Sequence, residues 1–264
     1  MKAQGLLLLA LSLSTISLLN AQIVLEYDTV RQRDPHQVNR ELMTLYFPSG
    51  RLYRTGVLLD GKKTGVWRTY YENGVLNSLE EFHQDMPHGV SLFIEPNGTL
   101  RREVSYRYGQ LHGLLREYGR NGRLLKEEHY REGQLHGRRM LFSEDGKVQE
   151  EGFFKHGLRD SINRWAYPSG AVYVEYTYVQ GNITGPFRKF FENGKVQEEG
   201  FYVDGLEDGS WRYFDEAGRL TASGNFVRGK KTGLWKYFNA DGELIRTETY
   251  DATGKLLKQN IIKK

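Results

Sequence analysis

Glycine and aromatic positions recur along this chain with a period of 24 residues. Counted from Gly65, the first position of each unit is glycine in seven of eight units, and Ser161 is the exception. The tenth residue is glycine in every unit: Gly74, Gly98, Gly122, Gly146, Gly170, Gly194, Gly218 and Gly242. Seventeen residues after the first position stands a ring: Phe82, Tyr106, Tyr130, Phe154, Tyr178, Tyr202, Phe226 and Tyr250. No insertion disturbs this register, so the pattern predicts a repeat array.

Each unit predicts one β-hairpin. The invariant glycine follows Asn, Asp or Ser in seven of eight units, and Asn-Gly or Asp-Gly is a strong signal for a two-residue turn in which both residues take positive φ. A second glycine, such as Gly109 or Gly133, closes most units and predicts a return turn. We therefore predict an all-β fold, an elongated antiparallel meander of stacked hairpins in a single twisted or curled sheet.

The predicted turn also gives the register of each hairpin. With the first glycine counted as position 0, cross-strand partners have positions that sum to 17. The first glycine then lies opposite the ring at position 17, which we expect to cover its bare backbone. Rings at position 2 share this core face: Trp67, Phe187, Trp211 and Trp235. The middle units carry other residues there, so uniform packing is not expected at the centre: Ser91, Leu115, Arg139 and Asn163.

The second face of the predicted sheet alternates charges and rings. Position 3 is mostly arginine and position 14 mostly glutamate, and these positions also sum to 17. We expect three cross-strand ion pairs: Arg116–Glu127, Arg164–Glu175 and Arg188–Glu199.

A candidate binding stripe runs along this second face. It combines the rings at position 5 with arginines at position 3: Tyr70, Tyr118, Phe142, Phe190, Phe214, Phe238, Arg116, Arg164, Arg188 and Arg212. Rings and arginines are favoured at the energetic centres of protein interfaces. The alternative is that the sheet curls and packs these rings within itself.

The ends of the chain differ from the repeats. Residues 1–21 predict a signal peptide, because Lys2 precedes an apolar stretch from Leu6 to Leu19 and Ala21 offers a small residue for cleavage. A buried N-terminal helix is the alternative. We predict an exported protein, periplasmic or secreted, with an N-terminal cap segment over 22–40. The repeat domain covers 41–256, as one degenerate unit plus eight repeats, and 257–264 form a basic tail.

Composition and charge exclude several functions. The formal net charge is +4, from 37 basic and 33 acidic residues, and their interleaving argues against a nucleic-acid partner. The chain has no cysteine, which rules out disulfides and thiol chemistry.

His88, His112 and His136 precede three successive repeat glycines. Equivalent positions in adjacent hairpins lie ~9.6 Å apart, whereas ligands of one metal ion must lie within about 4 Å of each other.

No catalytic or phosphate-binding motif occurs in the sequence. We therefore predict that the protein is not an enzyme and uses neither a metal nor a cofactor.

The unit pattern G-x-W-x-x-Y-x-x-N-G-x-L, followed by E-x-x-Y-x-x-G, resembles the MORN-repeat variant of many bacterial proteins. The residues 209–214 with Gly218 and 233–238 with Gly242 carry the resemblance well. It implies a β-repeat fold and an accessory module that binds proteins or anionic lipids. Related bacterial proteins are often labelled YwqK-type antitoxins, and a signal peptide departs from that cytoplasmic role.

These observations favour a non-enzymatic, exported scaffold that binds another protein. Two alternatives stay open. One is an antitoxin-like partner that neutralises a toxin or effector, and the other is a module that associates weakly with an anionic membrane surface.

Overall fold

The computed structural model describes residues 27–262. The predicted signal peptide, residues 22–26 of the cap segment and residues 263–264 of the tail lie outside the described residues. Within 27–262 the secondary structure consists of 21 β-strands in one sheet, with no helix. The predicted all-β fold is confirmed.

The strands follow one another along the chain. The first eleven are β1 (Asp28–Arg33), β2 (Arg40–Tyr46), β3 (Leu52–Leu59), β4 (Lys62–Tyr70), β5 (Leu76–His83), β6 (Met86–Ile94), β7 (Leu100–Arg107), β8 (Gln110–Tyr118), β9 (Leu124–Arg131), β10 (Gln134–Phe142) and β11 (Val148–Lys155). The others are β12 (Leu158–Ala166), β13 (Val172–Val179), β14 (Asn182–Phe190), β15 (Val196–Val203), β16 (Leu206–Glu207), β17 (Gly209–Phe214), β18 (Leu220–Val227), β19 (Lys230–Phe238), β20 (Leu244–Tyr250) and β21 (Leu256–Ile261).

The sheet is a meander in which each strand pairs antiparallel with the next. The pairing runs without a crossover from β1–β2 to β20–β21. β15 pairs with both β16 and β17, which are one strand interrupted at Asp208. At ~4.8 Å between neighbouring strands, the array extends on the order of 90 Å across its strands. The predicted antiparallel meander in a single sheet is confirmed.

The predicted register is confirmed over most of each hairpin. Every first position pairs with the ring at position 17: Gly65–Phe82, Gly89–Tyr106, Gly113–Tyr130, Gly137–Phe154, Ser161–Tyr178, Gly185–Tyr202, Gly209–Phe226 and Gly233–Tyr250. The register slips by one residue near the hairpin tip, where Tyr70 pairs with Leu76. The cause is a β-bulge beside the turn.

The prediction of a two-residue turn at Asn-Gly is wrong, and the two-residue turns lie at the other end of each unit. At the Asn73-Gly74 turn only the glycine has positive φ, 86°. The Tyr71 amide donates to the carbonyl of Val75 at 2.8 Å and the Gly74 amide donates to that of Tyr71 at 2.9 Å, which is a three-residue loop with a glycine bulge. The two-residue turns with two positive φ values are the return turns, as at Tyr108 (49°) and Gly109 (81°).

Asparagine at the hairpin tip is explained by the hydrogen bonds of its side chain. The Oδ1 atom of Asn73 accepts the Val75 amide at 3.0 Å, and its Nδ2 donates to the carbonyl of Pro96 in the next unit at 3.1 Å. Asn121 and Asn193 make the same two kinds of bond. The side chain therefore accepts the hydrogen bond of a loop amide while the asparagine backbone keeps a negative φ. The second bond links the tips of neighbouring hairpins.

The first glycine of each unit has a different role from the predicted one. A Cβ atom added to Gly65 would meet nothing within 4 Å, so no ring covers this residue. Gly65 has a φ of 62° and lies in a bulge, because β3 and β4 pair Thr55 with Arg68 but Val57 with Thr64. The position selects glycine for its left-handed backbone. Ser161 adopts the same conformation, with φ at 58°.

The glycines that do lie beneath rings stand at position 15. A Cβ atom on Gly56, Gly200 or Gly224 would fall 2.2–2.3 Å from the indole of the tryptophan on the next strand. Those tryptophans are Trp67, Trp211 and Trp235, and they are only 1–2% exposed. Positions 2 and 15 therefore form a row along the sheet, here called the core row, in which indoles and glycines lie side by side at Gly56–Trp67 and alternate from Gly200 to Trp235.

The core row is polar at its centre. Arg139 contacts Glu128 at 3.0 Å and Glu150 at 2.8 Å, and Glu150 also accepts from Arg159 at 2.6 Å. Arg159 donates to Asn163 at 2.7 Å. Each buried carboxylate here has a cationic partner, as burial of charge requires. The network separates an N-terminal aromatic cluster around Trp67 from a larger C-terminal one that runs from β13 to β20.

Ser161→Gly is expected to stabilise the protein by about 1 kcal/mol, because a non-glycine residue in the left-handed region costs roughly 1–2 kcal/mol. The hydrogen bond from Asn163 Nδ2 to the Ser161 carbonyl is a backbone contact and survives. The free energy of unfolding in urea measures the effect. Gly209→Ala is the matched control, and it should lose a similar amount because it has the same open surroundings. An unchanged midpoint in Ser161→Gly contradicts this explanation.

Gly224→Ala is expected to destabilise the protein by about 1–3 kcal/mol, the usual cost of overpacking, because the new methyl group collides with Trp235. A double-mutant cycle with Trp235→Leu tests the cause. If the indole is the obstacle, the alanine costs much less in the Trp235→Leu background. Strict additivity of the two changes would show that the ring is not responsible.

Candidate protein-binding surface

An ion-pair ladder runs along the second face. The three predicted pairs are present: Arg116–Glu127 at 2.9 Å, Arg164–Glu175 at 2.6 Å and Arg188–Glu199 at 3.8 Å. The same side chains also reach carboxylates of neighbouring hairpins: Arg116–Glu103 at 3.5 Å, Arg164–Glu151 at 3.3 Å and Arg212–Glu199 at 2.7 Å. These nine residues, four arginines and five glutamates, are called the charge ladder below.

The charge ladder orients side chains more than it stabilises the fold. Its arginine side chains are 35–58% exposed, and exposed pairs contribute ~0.2–1 kcal/mol each. The hydrogen bond to Glu127 raises the pKa of Arg116, and the bond to Glu175 raises that of Arg164. Both guanidinium groups therefore stay charged and fixed between two carboxylates.

The six rings of the predicted stripe stand at the hairpin tips. Each pairs across the tip with an aliphatic residue: Tyr70–Leu76, Tyr118–Leu124, Phe142–Val148, Phe190–Val196, Phe214–Leu220 and Phe238–Leu244. All six are half-buried. No ring–ring contact joins them within residues 27–262, so they are separate half-buried side chains along one border of the charge ladder.

The other border of the charge ladder carries exposed apolar side chains that the sequence reasoning missed. They occupy positions 1 and 16, and this apolar border comprises Val66, Val90, Phe153, Ile162, Pro186, Phe201 and Leu234. Ile162 and Phe201 are 40% and 41% exposed, and Pro186 pairs directly with Phe201. Positions 1 and 16 also sum to 17, so the register contained the signal. The residue types vary too much from unit to unit for the period alone to show it.

Two adjoining depressions lie beside Ile162, Pro186 and Phe201 of the apolar border. The larger, of about 450 Å³, is lined mainly by Pro186, Arg188, Glu199, Phe201, Ser210 and Arg212. The smaller, of about 230 Å³, is lined by Ile162, Glu175, Thr177, Pro186, Phe187 and Arg188. Because Pro186 and Arg188 line both, the two depressions are continuous on the second face between β12 and β17. This region is called the β12–β17 depression.

The surface has the chemistry of recognition. Exposed apolar side chains beside ordered charges are typical of interaction sites. No group of three or more metal-ligating side chains occurs in the part of the chain that the structure describes. Residues 27–262 also contain no helix long and apolar enough to cross a membrane.

The fold and this surface define a protein built of β-hairpin repeats with one packed face and one open face. Five segments match the family described as MORN repeat variant: residues 63–84, 111–132, 135–156, 183–204 and 231–252. These five segments are therefore MORN repeats of the variant type. No curated protein matches it.

The structure extends the repeat beyond the matched segments. The intervening units 87–108, 159–180 and 207–228 form hairpins with the same register as the matched ones. They diverge at core-face positions, where they carry Ser91, Asn163 and Glu207. The degenerate unit follows the same rule, since Met43 at position 2 pairs with Gly56 at position 15.

Proposed function

We propose that this MORN-repeat protein is an exported, non-enzymatic scaffold that binds a protein partner through its second face. The β12–β17 depression is the observation that carries the proposal. It places Ile162, Pro186 and Phe201 in a concave surface, directly beside the charge ladder. Apolar contacts supply affinity, and ordered charges select a partner with a complementary charge pattern.

The charge ladder favours a protein over a nucleic acid as the partner. Arginines and glutamates alternate from β7 to β9 and again from β11 to β17, with Met140 of β10 between the two runs, and they pair at 2.6–3.8 Å. A phosphate backbone following this surface would therefore meet a carboxylate beside every arginine. A polypeptide surface that carries both signs of charge matches such an alternation.

A second proposal is an antitoxin-like role, in which the partner is a toxin or effector and binding neutralises it. The resemblance to YwqK-type antitoxins of bacteria supports it. The antitoxin-like role would be favoured if a neighbouring gene encodes an exported effector and that effector binds the β12–β17 depression. An export route that separates the protein from every toxin would count against it.

A third proposal is association with an anionic membrane surface. Its support is the edge strand β21, where Leu257 and Ile261 are exposed close to Lys255 and Lys258. Co-flotation with anionic vesicles at low salt, lost in high salt, is the result that favours this proposal.

The double variant Ile162→Asp/Phe201→Asp is expected to weaken partner binding at least tenfold, because it places two carboxylates in the apolar part of the β12–β17 depression. The partner is first captured from the native compartment, and its affinity is then measured by calorimetry with purified proteins. Val66→Asp/Leu234→Asp is the matched control, since it adds the same charges to distant parts of the apolar border. Equal affinities for both variants would exclude the depression as the binding site.

Export through residues 1–21 is expected to leave a mature chain beginning at Gln22. Fractionation of the native host and N-terminal sequencing measure this. Leu8→Arg places a charge in the apolar stretch and should retain the uncleaved protein inside the cell. Retention of the unaltered chain in the cytoplasm, with its N-terminus intact, would contradict the proposal.

A further inference from the structure

Aromatic clusters on the core face are capped by the chain's own cations. Lys231 Nζ lies 4.2 Å from the ring centre of Trp235 and 5.7 Å from those of Tyr237 and Tyr250. Lys63 Nζ lies 5.3 Å from Trp67 and 5.0 Å from Phe82. These are cation–π distances. Both lysines stand at position 22 of their unit.

Arg159 repeats the arrangement at the centre of the array. It also occupies position 22, and its guanidinium lies 4.8 Å from the ring centre of Trp165 and 5.1 Å from that of Phe154. Three units therefore place a cation from the same repeat position over rings of the core face.

Position 22 is acidic in one unit. Glu207 pairs with Tyr202 as Lys231 pairs with Phe226, so the two side chains start from equivalent points on the core face. The rings that match Trp235, Tyr237 and Tyr250 are here Trp211, Tyr213 and Phe226. Trp211 and Phe226 pack edge to face with centres 5.6 Å apart. The cluster keeps its rings, but its own cation is replaced by a carboxylate.

A second carboxylate faces the same cluster. Glu198 pairs with Tyr213, and its nearest cation is Lys189 at 4.0 Å. Lys189 itself lies over Tyr173, 5.5 Å from the ring centre. The Glu207 carboxylate makes no hydrogen bond or ion pair with any residue of the described range 27–262. Two acids thus face the same aromatic cluster, and the ion pair among the described residues that involves either acid is the 4.0 Å contact of Glu198 with Lys189.

The electrostatics of the cluster agree with this geometry. Burial raises the pKa of Tyr213 to about 12, with Glu198 and Glu207 adding to the shift. Burial, then Glu207, raises the pKa of Tyr202. Burial also raises the pKa of the Glu198 carboxyl, and Glu207 adds to it. The cluster therefore has a negative potential that a positive charge would relieve.

Trp211 lacks the hydrogen bond that the indoles of Trp67 and Trp235 make. Its indole is 2% exposed and its Nε1 has no hydrogen-bond partner. Trp67 donates to the carbonyl of Val57 and Trp235 to that of Asn225, each at 3.2 Å.

We propose that Tyr202, Glu207, Glu198, Trp211, Tyr213 and Phe226 form a binding site for an organic cation, an alkylammonium head group supplied from outside the chain. The head group would lie beside Glu207, at the point that corresponds to the Lys231 ammonium of the next unit, against the partly exposed rings of Tyr202 and Tyr213, with the two carboxylates balancing its charge. The site is on the opposite face from the β12–β17 depression and does not depend on the proposed scaffold function. Rings with two carboxylates suit an organic cation better than a bare metal ion, which prefers a full oxygen shell.

The same head group has two sources, a free small amine or a lysine side chain of a protein. The test uses the full mature chain labelled with 5-fluorotryptophan, whose ¹⁹F spectrum contains a Trp211 resonance assigned with Trp211→Phe. Butylammonium chloride and Nα-acetyl-lysine methylamide are titrated in separate experiments, with sodium chloride as the ionic-strength control. We expect a saturable shift of the Trp211 resonance, with that of Trp67 unmoved because Lys63 already lies over its ring.

Three variants decide the interpretation. Glu207→Lys gives this unit the cation of its neighbours, so it should abolish the titration and shift the free resonance towards the ligand-saturated position. Glu207→Gln should weaken binding about fivefold, a fold-change typical of one such contact. Glu216→Gln is the charge-matched control at an exposed tip and should leave the affinity unchanged.

The outcomes distinguish a free amine from a protein lysine as the source of the head group, and they also show when the proposal fails. A response to both compounds assigns the site to the shared head group, and a response to only one assigns it to that source. No saturable shift with either compound, or the same shift in Glu207→Lys, overturns the proposal. Neither result bears on binding at the β12–β17 depression, because the substitutions lie on the other face.

Discussion

Burial in this molecule depends on the contact between a ring and a glycine of the next strand. Most domains bury apolar surface between two layers, whereas here one sheet has to cover its own rings. The indoles of Trp67, Trp211 and Trp235 achieve this by lying directly over glycine backbone. The contact requires a fixed register, and the two turns of each hairpin provide it. Where position 2 is not tryptophan, the core row takes other forms, of which the central network around Arg139 is the most polar.

Because of this packing, one face of the sheet forms the core and the other is exposed to solvent. The core face is filled from the strands themselves, by indoles, tyrosines and capping cations such as Lys231. The second face needs no cover, and its charge ladder and apolar border stay open to solvent. A repeat array of this kind varies its surface without altering its packing, because each unit contacts only its neighbours. Individual departures from the period, such as Glu207 at the position of Lys63, Arg159 and Lys231, therefore change the chemistry of one unit while its strand pairing stays the same.

Much of the fold was readable from the period, because a regular register repeats the same information in each unit. The rule that partner positions sum to 17 predicted both the pairing of Gly65 with Phe82 and the ion pair of Arg164 with Glu175. The turn types did not, because Asn-Gly fits both a two-residue turn and a glycine-bulge loop. The choice depended on a hydrogen bond to the next unit. The role of the first glycine was hidden for a similar reason, since a bulge between hairpins leaves no trace in the register within a hairpin.

The candidate site was only partly predictable. The charge ladder was visible because its residue types repeat, whereas Ile162 and Phe201 became a surface only through the neighbouring units that frame them. The capping cations were harder still to see. Lys63, Arg159 and Lys231 share a position in the repeat, but solvated lysine and arginine look the same in a sequence as those that lie over a ring.

The meander has a mechanical consequence. Its interstrand hydrogen bonds run perpendicular to the strands, and therefore along the line that joins β1 to β21. Tension applied between these two edge strands loads successive ladders in series, and each hairpin opens from its edge without first shearing the others. The asparagine ties between neighbouring tips add a small resistance at three of the 24-residue steps, at Asn73, Asn121 and Asn193. The array is thus an extensible element that gives way one strand at a time under tension, while it resists bending within the plane of the sheet.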